Sequence, residues 1–188
     1  VIGILCAFFG TFLALKYLSS MLPKDAGREF AHDGKKSAGK PRGAGLIFIL
    51  AFGIVAMLFG KLNWEILIYL VLTIASMLTG YLDDASKNPW GEFKKGALDL
   101  LIACLVAGTY LAFNGSEIFI NILGESIVLN PIVFFILAVI LVWVSINVTN
   151  CTDGVDGLSG TLSVITLFTI YLLESVKGTN SAINYITL

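Results

Sequence analysis

Charge is the scarcest ingredient of this sequence. Asp, Glu, Lys and Arg together make up 13% of its 188 residues while hydrophobic residues make up 57%, and the mean hydropathy is +0.89. An ordinary soluble domain is about 25% charged, so both that class and intrinsic disorder are excluded. Neither sign of charge dominates: 12 Lys and Arg against 13 Asp and Glu leave a formal net charge of −1. The global basic excess that marks nucleic-acid binding is therefore missing, and no nucleic acid is expected as a partner. Cysteine is scarce as well. Cys6, Cys104 and Cys151 are odd in number and widely spaced, and two lie in apolar runs, so neither a disulfide framework nor a zinc site is legible. No fixed-period repeat and no low-complexity stretch is present.

What remains is apolar sequence in long runs. Crossing a bilayer takes about 20 mostly apolar residues, because unpaired backbone groups in lipid restrict spanning structures to helices and closed barrels. Six stretches qualify, near residues 1–22, 43–60, 64–82, 96–113, 131–148 and 157–173. Their continuous Leu, Ile, Val and Phe lack the alternation of a barrel strand. Between the fourth and fifth, residues 114–130 are too polar to span and are rich in β-branched residues around Gly124, the pattern of a hairpin. The expected fold is an all-α membrane protein, a polytopic helical bundle of six transmembrane helices with a short external β-hairpin, forming a single membrane domain over residues 1–188. The sequence opens on Val1 rather than Met and stops at Leu188 after a polar stretch, which suggests a fragment. Its first apolar run is too long for a cleaved signal peptide.

Lys and Arg set the orientation, since positively charged loops stay cytoplasmic. Lys24, Arg28, Lys35, Lys36, Lys40 and Arg42 follow the first helix and Lys87, Lys94 and Lys95 follow the third, whereas the opposite side has only Lys61 and Lys177. Lys16, inside the first helix, can snorkel to the same interface. The N-terminus and the hairpin are thus expected outside, and the connections after helices one, three and five inside.

Polar residues gather at those inner connections, so one face could hold a charged cleft. Asp83 and Asp84, followed by Lys87, end the third helix. Mg²⁺ prefers carboxylate oxygen together with substrate phosphate and retained water, so this triplet suits a cation and a phosphate. An Asp-Asp pair alone also reads as two solvated charges. Asn147, Asn150, Asp153, Gly154, Asp156 and Gly157 lie where helix five ends and helix six begins. Amides and carboxylates at three-residue spacing, interrupted by glycine, offer hydrogen bonds to a polar ligand. Asp156 as a helix cap explains only part of that pattern. The loop from Pro23 to Gly45 interleaves Gly39, Gly43 and Gly45 with Lys40, Pro41 and Arg42, suited to close backbone approach to a phosphate, while His32 has no assigned role.

The order Asp83-Asp84-x-x-Lys87, then Asn147-x-x-Asn150-x-x-Asp153-Gly154-x-Asp156-Gly157-Leu158, resembles the polyprenyl-phosphate N-acetylhexosamine-1-phosphate transferase superfamily. Lys87 at its position resembles the phospho-N-acetylmuramoyl-pentapeptide transferase branch. The N-acetylglucosamine and teichoic-acid branches usually have Arg and a further Asp there. Where the muramoyl branch usually has Gly-Thr-Pro-Thr-Met-Gly-Gly, this chain departs, with Gly39-Lys-Pro-Arg-Gly-Ala-Gly45.

The resemblance covers nearly the whole chain. It implies the first six of about ten helices, later loops of the family supplying a further metal-binding Asp and a His-rich motif, so this chain alone should be inactive. It implies transfer of phospho-N-acetylmuramoyl-pentapeptide from UDP to undecaprenyl phosphate, forming lipid I and UMP for peptidoglycan, at the cytoplasmic face of a bacterial inner membrane. The partners implied are UDP-N-acetylmuramoyl-pentapeptide, undecaprenyl phosphate and membrane lipid, with a homodimer left open, and the cofactor is Mg²⁺. Asp83 and Asp84 would be catalytic, Asp84 also a metal partner. Lys87 and Lys94 would contact phosphates, and Asn150, Asp153, Gly154 and Asp156 would form the nucleotide pocket with Asn147 in support. The competing readings are a UDP-N-acetylglucosamine-1-phosphate transferase for teichoic acid or surface polysaccharide, a secondary transporter and a structural membrane subunit. A transporter would place its carboxylates near the bilayer midplane rather than at helix ends. CDP-alcohol phosphotransferases also use Asp-Gly, but their following Ala-Arg is Leu158-Ser159 here.

The orientation is testable in intact cells. A membrane-impermeant thiol reagent should label a Cys placed at Ser126 and miss Cys151; the reverse pattern would invert the topology.

Overall fold

The computed structural model describes residues 2–25, 38–86, 88, 90–120, 124–152 and 157–176. The long apolar runs are helices: α1 (Ile2–Leu18), α2 (Gly45–Phe59), α3 (Trp64–Ala85), α4 (Glu92–Asn114), α5 (Pro131–Thr152) and α6 (Leu158–Val176), with strands β1 (Glu117–Ile120) and β2 (Glu125–Val128) between α4 and α5. A 3-10 turn, Ser19–Met21, extends α1. Four spans among the described residues, Ile2–Met21, Trp64–Ala85, Glu92–Asn114 and Pro131–Cys151, are long and apolar enough to cross a membrane. The chain is a polytopic helical membrane protein. Among the described residues the apolar stretches of the second and sixth helices, Gly45–Phe59 and Leu158–Leu173, are shorter. At 1.5 Å per residue α2 is only about 22 Å long, against a hydrocarbon core of about 30 Å. It ends because Gly60 turns extended, at φ −79° and ψ 155°.

Helix starts follow their capping residues. Asn63 Oδ1 accepts the Ile66 N–H at 2.8 Å ahead of α3, and Asn130 Oδ1 accepts the Ile132 N–H at 2.9 Å across Pro131, the first residue of α5. Hydroxyls inside the apolar helices are satisfied by the preceding turn. Thr109, Ser145, Thr161, Ser163 and Thr169 each donate to the carbonyl four residues back at 2.7–2.9 Å. A polar side chain that pairs with its own helix needs no partner in lipid.

Two compact units divide the chain, Val1–Lys61 with Thr73–Gly91 and Leu62–Leu72 with Glu92–Leu188, so that α3 contributes to both. In the first, α1 and α2 pack closely enough that a Cβ on Gly3 would lie 3.2 Å from Phe59 Cβ. In the second, α4 packs on α5 through buried Ala103, Ala107 and Val139, with Cys104, Phe135, Ala138 and Val142 around them. Tyr110 stacks on Phe134 at 5.6 Å, and Trp143 Nε1 donates to the Gly96 carbonyl at 3.0 Å. The expected hairpin is present. β1 and β2 pair antiparallel with Glu117 opposite Val128 and Ile120 opposite Glu125. Its base is closed by Ser116, whose Oγ donates to the Leu129 carbonyl at 2.7 Å and whose carbonyl accepts the Leu129 N–H at 3.1 Å.

Ala103 is fully buried where α4 meets α5. Ala103→Leu should destabilise the protein by about 1–3 kcal/mol through overpacking, read as a lowered Tm in detergent. Ala97→Leu, on an exposed face of the same helix, should leave the Tm unchanged.

Candidate functional site

The final turn of α3 carries Asp83 and Asp84, both partly buried. Adjacent residues on a helix are separated by about 100° around its axis, and the two carboxylates have different partners. Asp83 Oδ1 reaches past the helix end and accepts the Trp90 N–H at 2.7 Å. The Asp83 carbonyl accepts from Ser86 twice, from its N–H at 3.1 Å and from its Oγ at 2.7 Å, and the same Oγ lies 2.6 Å from the Asn88 carbonyl. Asp84 Oδ1 instead meets Arg42 Nη2 at 2.8 Å.

Arg42 is placed by backbone geometry. Its N–H donates to the Pro23 carbonyl at 2.7 Å, the Asp25 N–H donates to the Lys40 carbonyl at 2.9 Å and the Gly39 N–H to the Asp25 carbonyl at 2.8 Å. The short stretch before α2 is thus strapped to the residues that follow α1, with Lys24 bridged to Pro41. Gly39 and Gly43 adopt left-handed conformations, at φ 83° and 71°. At Gly43 space is equally decisive, because a Cβ would lie 2.9 Å from Tyr81 Cδ2. The close approach expected of this glycine is therefore to an aromatic ring one turn ahead of Asp84.

Two carboxylates at the C-terminal, negative end of a helix dipole are electrostatically unfavourable without a cation nearby. Arg42 supplies one. The donor set also suits Mg²⁺, which binds through one or two carboxylates together with substrate phosphate and water rather than in an all-protein cage. Among the described residues no group of three or more His, Cys, Asp or Glu side chains could hold a metal.

The other expected residues fall as follows. Lys94 is exposed in the first turn of α4, and Asn147 and Asn150 lie in the last two turns of α5, so that Lys94 and Asn150 are helical rather than in connecting loops. Asn147 Nδ2 donates to the Trp143 carbonyl at 2.8 Å. Asp83 and Asp84 belong to one compact unit, Lys94, Asn147 and Asn150 to the other. Lys87, Asp153, Gly154 and Asp156 lie outside the described residues, as does His32. Arg42 was legible only as part of a basic loop. Its pairing with Asp84 had no signal in the sequence.

Such a site on apolar helices defines a class. The chain belongs to glycosyl transferase family 4, whose profile matches residues 66–188. Two curated relatives, phospho-N-acetylmuramoyl-pentapeptide-transferases from two strains of Treponema pallidum, one of them strain Nichols, are each 40% identical to it over 154 residues. The match covers 80% of this chain and 42% of each relative, so the chain spans less than half of their length. No solved structure matches it significantly. The resemblance drawn from the acidic motifs is borne out.

The Gly43 contact yields a prediction. Gly43→Ala should cost about 1–3 kcal/mol from left-handed strain and contact with Tyr81, measured as a fall in Tm. Gly45→Ala, inside α2 with ordinary clearance, should be tolerated.

Proposed function

We propose that the protein containing this chain transfers phospho-N-acetylmuramoyl-pentapeptide from its UDP carrier to undecaprenyl phosphate, producing lipid I and UMP at the cytoplasmic face of a bacterial inner membrane. The observation that carries this reading is the Asp83-Asp84 pair at the end of an apolar helix, each carboxylate with a separate partner, in a chain 40% identical to two phospho-N-acetylmuramoyl-pentapeptide-transferases.

The difficulty of the reaction is electrostatic. An anionic lipid phosphate must approach an anionic diphosphate, so neutralisation and positioning should dominate catalysis. Bound Mg²⁺ would supply charge neutralisation on the diphosphate, with Asp84 as its protein partner. Asp83 orients the lipid phosphate and takes its proton where one is present. That proton is weakly held, since a phosphate monoester has a second pKa of about 6. Lys87 and Lys94 contact phosphate oxygens. Asn150, Asp153, Gly154 and Asp156 hold the nucleotide, with Asn147, which donates to the Trp143 carbonyl, in support.

Asn is the informative replacement at Asp83, because its amide oxygen can still accept the Trp90 N–H while the negative charge is lost. Asp83→Asn and Asp84→Asn should each lower kcat of the intact enzyme by at least about 100-fold, with little change in Tm, as expected for interactions made mainly in the transition state. The assay supplies undecaprenyl phosphate, Mg²⁺ and a panel of UDP-sugars, and follows lipid-linked product and UMP. The muramoyl-pentapeptide nucleotide should be the substrate. Turnover only with UDP-N-acetylglucosamine would move the protein to the other branch, and near-normal turnover in both variants would remove Asp83 and Asp84 from catalysis.

A further inference from the structure

Asp84 is held by a residue for which the preceding mechanism has no use. Arg42 Nη2 sits 2.8 Å from Asp84 Oδ1, and the two side chains are 44% and 28% exposed, so an ion from solvent can reach the pair. The arginine does not meet Asp84 from a loose loop. Its own N–H is bonded to Pro23, Lys40 two residues before it is bonded to Asp25, and Gly43 immediately after it is pressed against Tyr81. This strapping fixes where the guanidinium begins its reach, and Asp84 follows Tyr81 by three residues on the same helix.

We propose that Arg42 is a positioning residue that holds the Asp84 carboxylate and competes with a divalent cation for its Oδ1. The proposal rests on the reading of Asp84 as the cation's protein partner. A guanidinium is charged at every physiological pH and makes strong, directional bonds to carboxylate. It relieves the repulsion of two carboxylates at the negative end of α3, and it orients Asp84 without withdrawing it from solvent. The same positive charge opposes a cation arriving at the same oxygen, and the carboxylate is surrendered only as the guanidinium moves aside. Arg42 thus makes cation binding weaker and the bound arrangement more productive. Simple structural damage would lower affinity and turnover together, whereas the loss of a competing positioning residue moves them in opposite directions.

The test is Mn²⁺ binding to the intact enzyme in detergent, followed by electron paramagnetic resonance without substrate, alongside turnover and thermal melting. Arg42→Gln should bind Mn²⁺ about 3–10-fold more tightly than wild type, since a like charge has been removed from beside the site, while its kcat falls. Arg42→Lys keeps the charge but not the forked geometry, and should show a smaller gain in affinity with turnover partly restored. Mn²⁺ affinity equal to or below wild type in Arg42→Gln overturns the proposal. Should that variant fail to fold, Arg42→Lys decides in the same way, with affinity above wild type supporting competition and affinity at or below it contradicting it. Asp84→Asn separates the two readings. Wild-type Mn²⁺ binding in that variant would remove Asp84 as the cation's partner, whereas lost binding there with no gain in Arg42→Gln would overturn the role of Arg42 alone.

Discussion

In a hydrocarbon environment every backbone N–H and C=O must find its partner within the protein, and this requirement organises the molecule. It converts the apolar runs into helices and turns their occasional Ser and Thr hydroxyls back onto their own carbonyls, as in Thr161, Ser163 and Thr169. It also confines charge: Asp83 and Asp84 fall in the last turn of α3, where water can solvate them.

Local contacts then distinguish the neighbouring carboxylates. Asp83 is engaged by the Trp90 N–H and Asp84 by the Arg42 guanidinium. A backbone N–H is a neutral donor that moves only with the chain, so this contact holds the Asp83 carboxylate in one orientation. A side-chain cation can swing, so Asp84 is the carboxylate better able to exchange its partner. The position of Arg42 depends in turn on Gly43, where a left-handed backbone and the face of Tyr81 leave no room for a side chain.

Hydropathy made the helices and the hairpin legible, and their limits follow from what hydropathy measures. It reports the part of a helix that lies in lipid rather than where hydrogen bonding stops. The charged start of α4 at Glu92–Lys95 and the polar end of α5 through Asn150 and Thr152 therefore lie beyond the apolar runs although they are helical. Asp83 and Asp84 were legible because adjacent carboxylates at the end of an apolar run are conspicuous. The Arg42–Asp84 pair was not, because it joins residues far apart in the chain through a backbone strap and a ring contact that leave no periodic trace. Lys87, Asp153, Gly154 and Asp156, read from motif alone, lie outside the described residues.

The central claim is that Asp83 and Asp84 serve different partners in one phosphoryl transfer. The Mg²⁺ dependence of residual turnover tests it most directly, compared between Asp83→Asn and Asp84→Asn in the intact enzyme. Asp84→Asn should require about tenfold or more additional Mg²⁺ to reach half of its own maximal rate, no less than the loss typical when only an outer-shell partner of a metal ligand is removed. Asp83→Asn should keep the wild-type Mg²⁺ requirement while its maximal rate collapses. Equal shifts in both variants, or a shift confined to Asp83→Asn, would contradict the division of roles.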